Sequence, residues 1–95
     1  MNKGELVNTV ARKVRITRKE ADAIISATLD TIVETVSIGK KVTLVGFGAF
    51  EAKQRKAREG RNPKTGEKMQ IPSVWIPNFS VGKIFKEKVN QTQDY

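Results

Sequence analysis

The chain has 95 residues, with 18 lysine and arginine side chains against 10 aspartate and glutamate side chains, and a formal net charge of +8. It contains no cysteine and no histidine, which excludes disulfides, thiolate metal sites and catalysis by a thiol or an imidazole. A chain of this length forms one domain with a modest core unless it oligomerises. Its sequence pI of about 10.1 predicts a polyanionic partner.

Two helices are predicted at the N-terminal end. Asn2 and Glu5 have the spacing of a capping box, and apolar residues follow them at helical spacing. Thr17 and Glu20 repeat that pattern before a second, wider apolar stripe, which ends at Gly39. The second helix has the clearer pattern of the two.

The apolar surface of these helices exceeds what one copy of the chain can cover. The stripe of the second helix consists of Ala21, Ile24, Ile25, Thr28, Leu29, Ile32, Val33 and Val36. One short helix, a small sheet and four phenylalanines are the only other apolar material in the sequence. We therefore predict an intertwined dimer, with residues 1–39 as its helical dimerisation part.

A change from helical spacing to alternation predicts β-structure after residue 39. The segment KKVTLV (40–45) is β-branched and alternating, GFG (46–48) interrupts it, and AFEAKQR resumes it. The fold class is therefore predicted to be α+β. We assign residues 40–52 and 73–80 to a three-stranded antiparallel sheet.

Residues 53–72 are predicted to extend this sheet into a β-ribbon arm. The tip has the composition of a turn, Asn62-Pro63-Lys64-Thr65-Gly66. Seven basic residues lie between Lys53 and Ile76, namely Lys53, Arg55, Lys56, Arg58, Arg61, Lys64 and Lys68. Ten residues per strand would reach roughly 30 Å from the body, which is enough to reach around a DNA duplex.

Two interpretations of the arm remain open on the residues alone. Its cations can neutralise phosphates and enter a minor groove, and Pro63 can wedge between base pairs. Alternatively, Pro63 only forms the turn and the basic run is solvated surface. Strand length, a tight turn and concentrated positive charge occur together here, and this combination favours a nucleic-acid contact.

Basic residues elsewhere in the sequence are candidate phosphate contacts. The turn between the two helices is surrounded by Arg12, Lys13, Arg15, Arg18 and Lys19. These residues are either solvated surface or auxiliary phosphate contacts. Lys3 and Lys83 fall in first helical turns, where a cation opposes the helix dipole. Phosphate binding accounts for both.

The chain is predicted to end in a helix over residues 81–90. Ser80 is its expected cap, Val81, Ile84, Phe85 and Val89 form its expected buried face, and Lys86 stays in solvent with Lys83 and Lys88. The segment QTQDY (91–95) is expected to be a frayed tail. No internal repeat or linker divides the sequence, so we expect one domain over residues 1–95.

Other function classes fit the sequence less well. A helix-turn-helix protein presents basic or amide side chains on its recognition helix, but the second helix exposes Glu20, Asp22, Asp30 and Glu34. The carboxylates are spread singly, without a pair for acid–base catalysis. No segment has the roughly 20 apolar residues of a membrane span. We therefore expect a soluble cytoplasmic protein that is not an enzyme.

Four segments carry a resemblance to a known family. They are MNKGELV, TLVGFGAFE, REGRNPKTGEKMQIP and PNFSVGKIFKEKV, and the combination of GRNPKTG with VGFGAF is highly specific. Through these segments the chain resembles the bacterial HU/IHF family of histone-like DNA-bending proteins over nearly its whole length. It is more similar to the HU type than to the IHF type.

The resemblance implies a dimer whose two arms embrace double-stranded DNA through the minor groove. It implies that Pro63, flanked by Arg61 and Asn62, intercalates and kinks the duplex. The residues that would line the arms are Lys53, Arg55, Arg58, Lys64 and Lys68. Flanking DNA would be held by Lys3, Lys83 and Lys86. The ribbon would be braced by Met69 and Ile71. Trp75 and Ser80 depart from the family, where basic residues are frequent at both positions.

An HU-type protein is further expected to be a homodimer with little sequence preference, to favour bent, nicked or distorted DNA, and to lie in the bacterial nucleoid. The resemblance implies no cofactor, metal, membrane or small-molecule substrate. Two alternatives stay open: a sequence-selective, IHF-like heterodimer subunit, and a small basic RNA-binding protein. For Trp75 we expect packing on the neighbouring strand rather than contact with a sugar.

Overall fold

A computed structural model describes residues 1–92. It contains the helices α1 (Lys3–Val14), α2 (Arg18–Ser37) and α3 (Lys83–Thr92) and the strands β1 (Val42–Leu44), β2 (Gly48–Arg55), β3 (Arg58–Arg61), β4 (Lys68–Ile71) and β5 (Val74–Val81). The predicted α+β class is confirmed. The chain divides into two compact units, Met1–Glu34 and the part from Thr35 onward.

Both helix starts predicted from capping patterns are confirmed. Asn2 Oδ1 accepts a hydrogen bond from the Glu5 N–H at 2.9 Å. Thr17 and Glu20 form a reciprocal capping box, in which each backbone N–H donates to the other side chain at 3.1 Å. The Thr17 hydroxyl also donates to Glu20 Oε1 at 2.8 Å. These side-chain and backbone hydrogen bonds from Thr17 lower the pKa of Glu20.

The two N-terminal helices end in different ways. Helix α2 ends as predicted at Gly39, whose φ is 85°. The Gly39 N–H donates to Val36 O at 3.0 Å and the Lys40 N–H donates to Thr35 O at 3.1 Å, which is a Schellman motif. Helix α1 ends instead on Arg15, a non-glycine residue with a φ of 56°. A left-handed conformation costs a side-chain-bearing residue roughly 1–2 kcal/mol.

The N-terminal unit has a very small core. Val7 of α1 and Ala21 of α2 are its fully buried residues, with 1% and 0% of their surface exposed. Large aliphatic residues of α2, such as Ile24 and Leu29, remain about half exposed. One copy of the chain therefore leaves most of the predicted apolar stripe uncovered.

The second unit contains a three-stranded antiparallel sheet in the order β1-β2-β5. Phe50 in the central strand pairs with Val42 on one side and with Phe79 on the other. Pro77 lies in β5, which is an edge strand of the sheet. Proline is tolerated in edge strands because their outer side has no neighbouring strand to accept a hydrogen bond from a backbone N–H. The sheet extends beyond the predicted limits, because β2 reaches Arg55 and pairs there with Val74.

Four phenylalanines cluster in this unit. The Phe47 ring centroid lies 5.3 Å from that of Phe79 and 5.4 Å from that of Phe85, and the Phe50 and Phe79 centroids are 4.8 Å apart. Gly48 makes this packing possible, since a Cβ there would lie 2.6 Å from the Phe79 ring. The cluster is the apolar centre of this unit, yet three of its four phenylalanines remain more than one-third exposed.

The predicted start of the last helix was wrong. Ser80 does not cap a helix, because the β2–β5 ladder continues through it and through Val81, which pairs with Gly48. Helix α3 begins at Lys83 after Gly82, whose carbonyl accepts from the Lys86 N–H at 3.0 Å. Of the expected frayed tail, residues 91 and 92 are helical and residues 93–95 lie outside the described part of the chain.

Replacing Arg15 by glycine is predicted to stabilise the protein by about 1 kcal/mol, because glycine adopts positive φ without the steric cost that arginine has there. Urea unfolding of Arg15→Gly and of the parent measures the difference. Arg12→Gly, inside the same helix, serves as the matched control and is expected to destabilise by up to about 1 kcal/mol. Lower stability of Arg15→Gly would contradict this account of the helix end.

The capping box predicts a pH dependence of stability. Because the folded pKa of Glu20 lies below its ordinary value of 4.5, its ionised form stabilises the fold above pH 4.5, and this contribution is lost as pH falls through the folded pKa. Glu20→Gln removes the titration. We expect the parent to melt higher than Glu20→Gln at pH 6, with the difference shrinking below pH 4.5, measured by circular dichroism. A constant difference would count against the capping box as its cause.

Candidate nucleic-acid interface

The candidate interface is the β3–β4 ribbon, which continues the β2–β5 ladder in the same register. Arg55 pairs with Val74, and three residues further along each strand Arg58 pairs with Ile71. Between these pairs the ladder is interrupted at Pro72, which has no N–H to donate. The predicted arm is therefore a ribbon in two segments rather than one unbroken hairpin.

Asn62 organises the tip of the ribbon through three hydrogen bonds. Its N–H donates to Glu67 O at 2.9 Å, and its carbonyl accepts from the Gly66 N–H at 2.7 Å. Its side-chain Oδ1 accepts from the Lys64 N–H at 2.9 Å, which is the Asx-turn geometry of asparagine. Gly66 completes the turn with a φ of 72°. The predicted turn is confirmed, and it holds Pro63 exposed at the end of the ribbon.

Gly60 allows the two strands of the ribbon to pack closely. A Cβ on Gly60 would lie 2.8 Å from Ile71 Cδ1 and 3.8 Å from Met69 Cγ. Ile71 is half-buried by this contact, whereas Met69 remains 46% exposed. Ile71 and Met69 therefore both lie next to Gly60, a contact that the sequence pattern did not indicate, and their role in bracing the ribbon stays a prediction.

Alternation along the strands divides the ribbon cations between two faces. Arg61 and Lys68 are direct cross-strand partners and share a face with Glu59. Arg58 lies on the opposite face, paired with Ile71. The positive charge therefore surrounds the ribbon instead of lining one side, an arrangement suited to insertion in a groove.

Several predicted phosphate ligands form ion pairs in the free chain. The carboxylate of Glu51 lies 3.9 Å from Lys53 Nζ and 3.9 Å from Lys41 Nζ. Two more pairs have the same separation, Lys3–Asp22 and Lys83–Glu87. Exposed pairs of this kind contribute at most about 1 kcal/mol, so phosphates can displace the carboxylates. These acidic partners were not predicted from the sequence. Two of the pairs could have been found there, because Glu51 and Lys53 lie on one face of a strand and Lys83 and Glu87 are four residues apart in a helix.

The structure groups some of the predicted site residues and separates others. Arg61, Asn62, Pro63, Lys64 and Lys68 lie together at the tip of the ribbon. Lys53 and Arg55 lie at the outer end of β2, Lys83 and Lys86 lie on α3, and Lys3 belongs to the other unit. All eleven of the predicted DNA-binding residues are exposed except Asn62, which is half-buried in its turn.

The two departures from the family pattern have simple structural settings. Trp75 pairs across the ladder with Gln54 and keeps 67% of its surface exposed. The neighbouring strand therefore does not cover it, contrary to the expectation from the sequence. Ser80 Oγ accepts a hydrogen bond from Asn78 Nδ2 at 3.3 Å. Trp75 lies near the ribbon end of β5 and Ser80 near its opposite end, where it pairs with Ala49, so β5 carries no positive charge at either position.

No group of carboxylates that could hold a metal ion, and no helix long and apolar enough to cross a membrane, occurs among residues 1–92. The chemistry at the tip of the ribbon is that of cations, the exposed ring of Pro63 and backbone groups.

Residues 1–90 match the family model described as "Bacterial DNA-binding protein". The chain belongs to this family. It is 65% identical over 89 residues to DNA-binding protein HU of Nostoc sp., covering 94% of this chain and 95% of the relative. It is 47% identical over 91 residues to DNA-binding protein HU of Clostridium pasteurianum, covering 96% and 100%.

Solved structures of the family share the fold. A cocrystal structure of Anabaena HU with DNA superimposes with a TM-score of 0.88 at 65% identity, over 94% of this chain and 97% of that one. HU from Thermotoga maritima superimposes with a TM-score of 0.67 at 35% identity, over 94% and 98%. The resemblance seen in the sequence to the HU type is confirmed.

Gly66→Ala is predicted to disorder the tip without unfolding the protein, because alanine is strained at a φ of 72°. Amide chemical shifts in the free protein should change over residues 58–71 and remain unchanged in the three-stranded sheet, with an unaltered melting temperature. Thr65→Ala is the matched control in the same turn. Shift changes that spread through the sheet would contradict the independence of the ribbon.

Proposed function

We propose that this protein is an HU-type homodimer that binds double-stranded DNA through its two ribbons, with little sequence specificity, and bends it. The observation that supports this most strongly is the ribbon itself, which has no apolar core, is surrounded by cations and ends in the exposed Pro63. The cocrystal of a 65% identical relative with DNA supports the same partner.

Dimerisation explains the apolar surface that one copy leaves exposed. Ile24, Leu29 and Val33 of α2 are each about half exposed or more. Phe47 and Phe79 of the aromatic cluster are 43% and 40% exposed. A second copy supplies apolar faces of the same kind, as a two-fold interface requires. Burying them contributes about 25 cal/mol per Å² of apolar surface.

Phosphate neutralisation supplies the sequence-independent part of the affinity. A two-stranded ribbon in solution is marginally stable alone, so DNA orders it on binding. Arg55, Arg58, Arg61, Lys64 and Lys68 release condensed counterions when they reach phosphates, and arginine favours the negative potential of a narrow minor groove. Lys3, Lys83 and Lys86 add phosphate contacts for flanking DNA.

Pro63 supplies the bend. The Asn62 turn holds the proline ring exposed, and the ring has an apolar surface and no N–H donor. An apolar side chain at the tip of a minor-groove arm can open a base step, a mechanism attributed to architectural proteins that include this family. The preference among DNA sites then depends on how easily each site bends. Nicked or already bent sites bind more tightly because less deformation energy is needed.

These properties define a nucleoid protein of the bacterial cytoplasm that compacts DNA without catalysing a reaction. The binding needs no cofactor, because cations and a proline supply all the chemistry involved. No observation among the described residues favours an IHF-like heterodimer subunit or an RNA-binding protein. Band shifts distinguish both alternatives from the proposed function.

Band shifts with the purified chain test the proposal. Intact duplexes of several sequences, the same duplexes with a central nick, and a folded RNA of equal length are compared at several salt concentrations. We expect similar affinities for the intact duplexes, tighter binding to the nicked ones and affinity that falls steeply with salt. Strong selection of one sequence, or preference for the RNA, would overturn the proposal in favour of the corresponding alternative.

Pro63→Ala is predicted to reduce DNA bending while keeping most of the affinity, because the phosphate-binding cations are unchanged. Fluorescence transfer between the ends of a labelled duplex measures the bend. Pro77→Ala, in the edge strand of the sheet, is the matched control and should leave the bend unchanged. A bend that Pro63→Ala leaves intact would rule out the wedge.

A further inference from the structure

A second concentration of positive charge lies at the turn between α1 and α2. Five of the eight residues at positions 12–19 are basic and none is acidic. We call Arg12, Lys13, Arg15, Arg18 and Lys19 the turn cluster; all five are exposed. It belongs to the unit Met1–Glu34, whereas the ribbon belongs to the other unit.

Helix stability explains three members of the turn cluster. Arg12 and Lys13 lie in the last turn of α1, where cations interact favourably with the helix dipole. Arg18 Nε donates to Asn8 Oδ1 at 2.8 Å and so fastens the start of α2 to α1. The presence of these three residues is therefore explained by helix stability alone, without any ligand.

Arg15 and Lys19 are not explained in this way. Arg15 occupies a left-handed conformation in which glycine would be more stable. Lys19 lies in the first turn of α2, where a cation opposes the dipole. A residue kept at a cost in stability points to a role other than folding.

No carboxylate pairs with the side chain of Arg15 or Lys19 in the part of the chain that the structure describes. The nearest acidic residue in sequence, Glu20, accepts hydrogen bonds from the Thr17 N–H and hydroxyl at 3.1 Å and 2.8 Å. Asp22 lies 3.9 Å from Lys3. Lys3, Lys53 and Lys83 by contrast each have a carboxylate at 3.9 Å. Arg15 and Lys19 are therefore available to an external anion.

We propose that the turn cluster binds the phosphate backbone of a second DNA duplex, so that one protein molecule can join two duplexes. This proposal rests on the proposed function, in which the ribbons hold the first duplex. A patch rich in arginine and lysine complements a phosphate backbone without reading bases. In a long DNA molecule, remote segments are linked to the segment that the ribbons hold, so they reach the turn cluster at a raised effective concentration and can occupy even a weak second site.

A capture assay tests the second site. A short biotinylated duplex on streptavidin beads is saturated with protein, and retention of a fluorescent second duplex is measured. The variant Arg15→Gln/Lys19→Gln removes two charges from the cluster. The matched control Lys40→Gln/Lys88→Gln removes two charges from exposed lysines elsewhere. Band shifts on a single short duplex and melting temperatures are measured for all three proteins.

The proposal predicts that Arg15→Gln/Lys19→Gln retains about fivefold less of the second duplex, as the loss of two exposed charge contacts implies. Its affinity for the single short duplex should stay at the parent value, and the control should capture as the parent does. Unchanged capture, or an equal fall in the control, would overturn the proposal. A parallel fall in single-duplex affinity would also overturn it, by placing the cluster in the first interface. Failure of the parent to bind the bead-held duplex would instead contradict the proposed function itself.

Discussion

The apolar surface that one chain cannot bury is the constraint on which the rest of this structure depends. Among the described residues, Val7, Ala21 and Ala49 are the only buried apolar side chains, with 1%, 0% and 8% of their surface exposed. The α2 stripe and the phenylalanine cluster remain partly exposed. Folding of a 95-residue chain with so little core requires more apolar burial than one copy provides. A second copy meets that requirement, and it also places two ribbons on one assembly.

The ribbon adds little to the stability of the fold. The ribbon contributes almost nothing to a core, and its local order comes from the Asn62 turn and the contact of Ile71 with Gly60. Its cations surround the strands, so their mutual repulsion is relieved when phosphates approach. Ion pairs such as Lys53–Glu51 keep other cations partly neutralised until then. In the proposed function, stability and DNA binding therefore depend on different parts of the same chain.

Local rules predicted much of this fold. The Asn2 cap, the Thr17 capping box and the Asn62 turn follow from side-chain hydrogen bonds to nearby backbone groups, which short segments determine by themselves. The start of α3 did not follow, because pairing of Ser80 with Ala49 extends the strand and outweighs its capping propensity. The exposure of Trp75 and the ion pair of Lys3 with Asp22 also depend on residues distant in sequence. The assignment of the DNA ligands came from the family resemblance and remains a prediction.

Sedimentation equilibrium of the purified chain over a wide concentration range, with thermal melting at the same concentrations, tests the dimer most directly. The account predicts a species of twice the 10.6 kDa chain mass and a melting temperature that rises with concentration, since folding and association are coupled. A 10.6 kDa monomer that melts cooperatively at a temperature independent of concentration would contradict it.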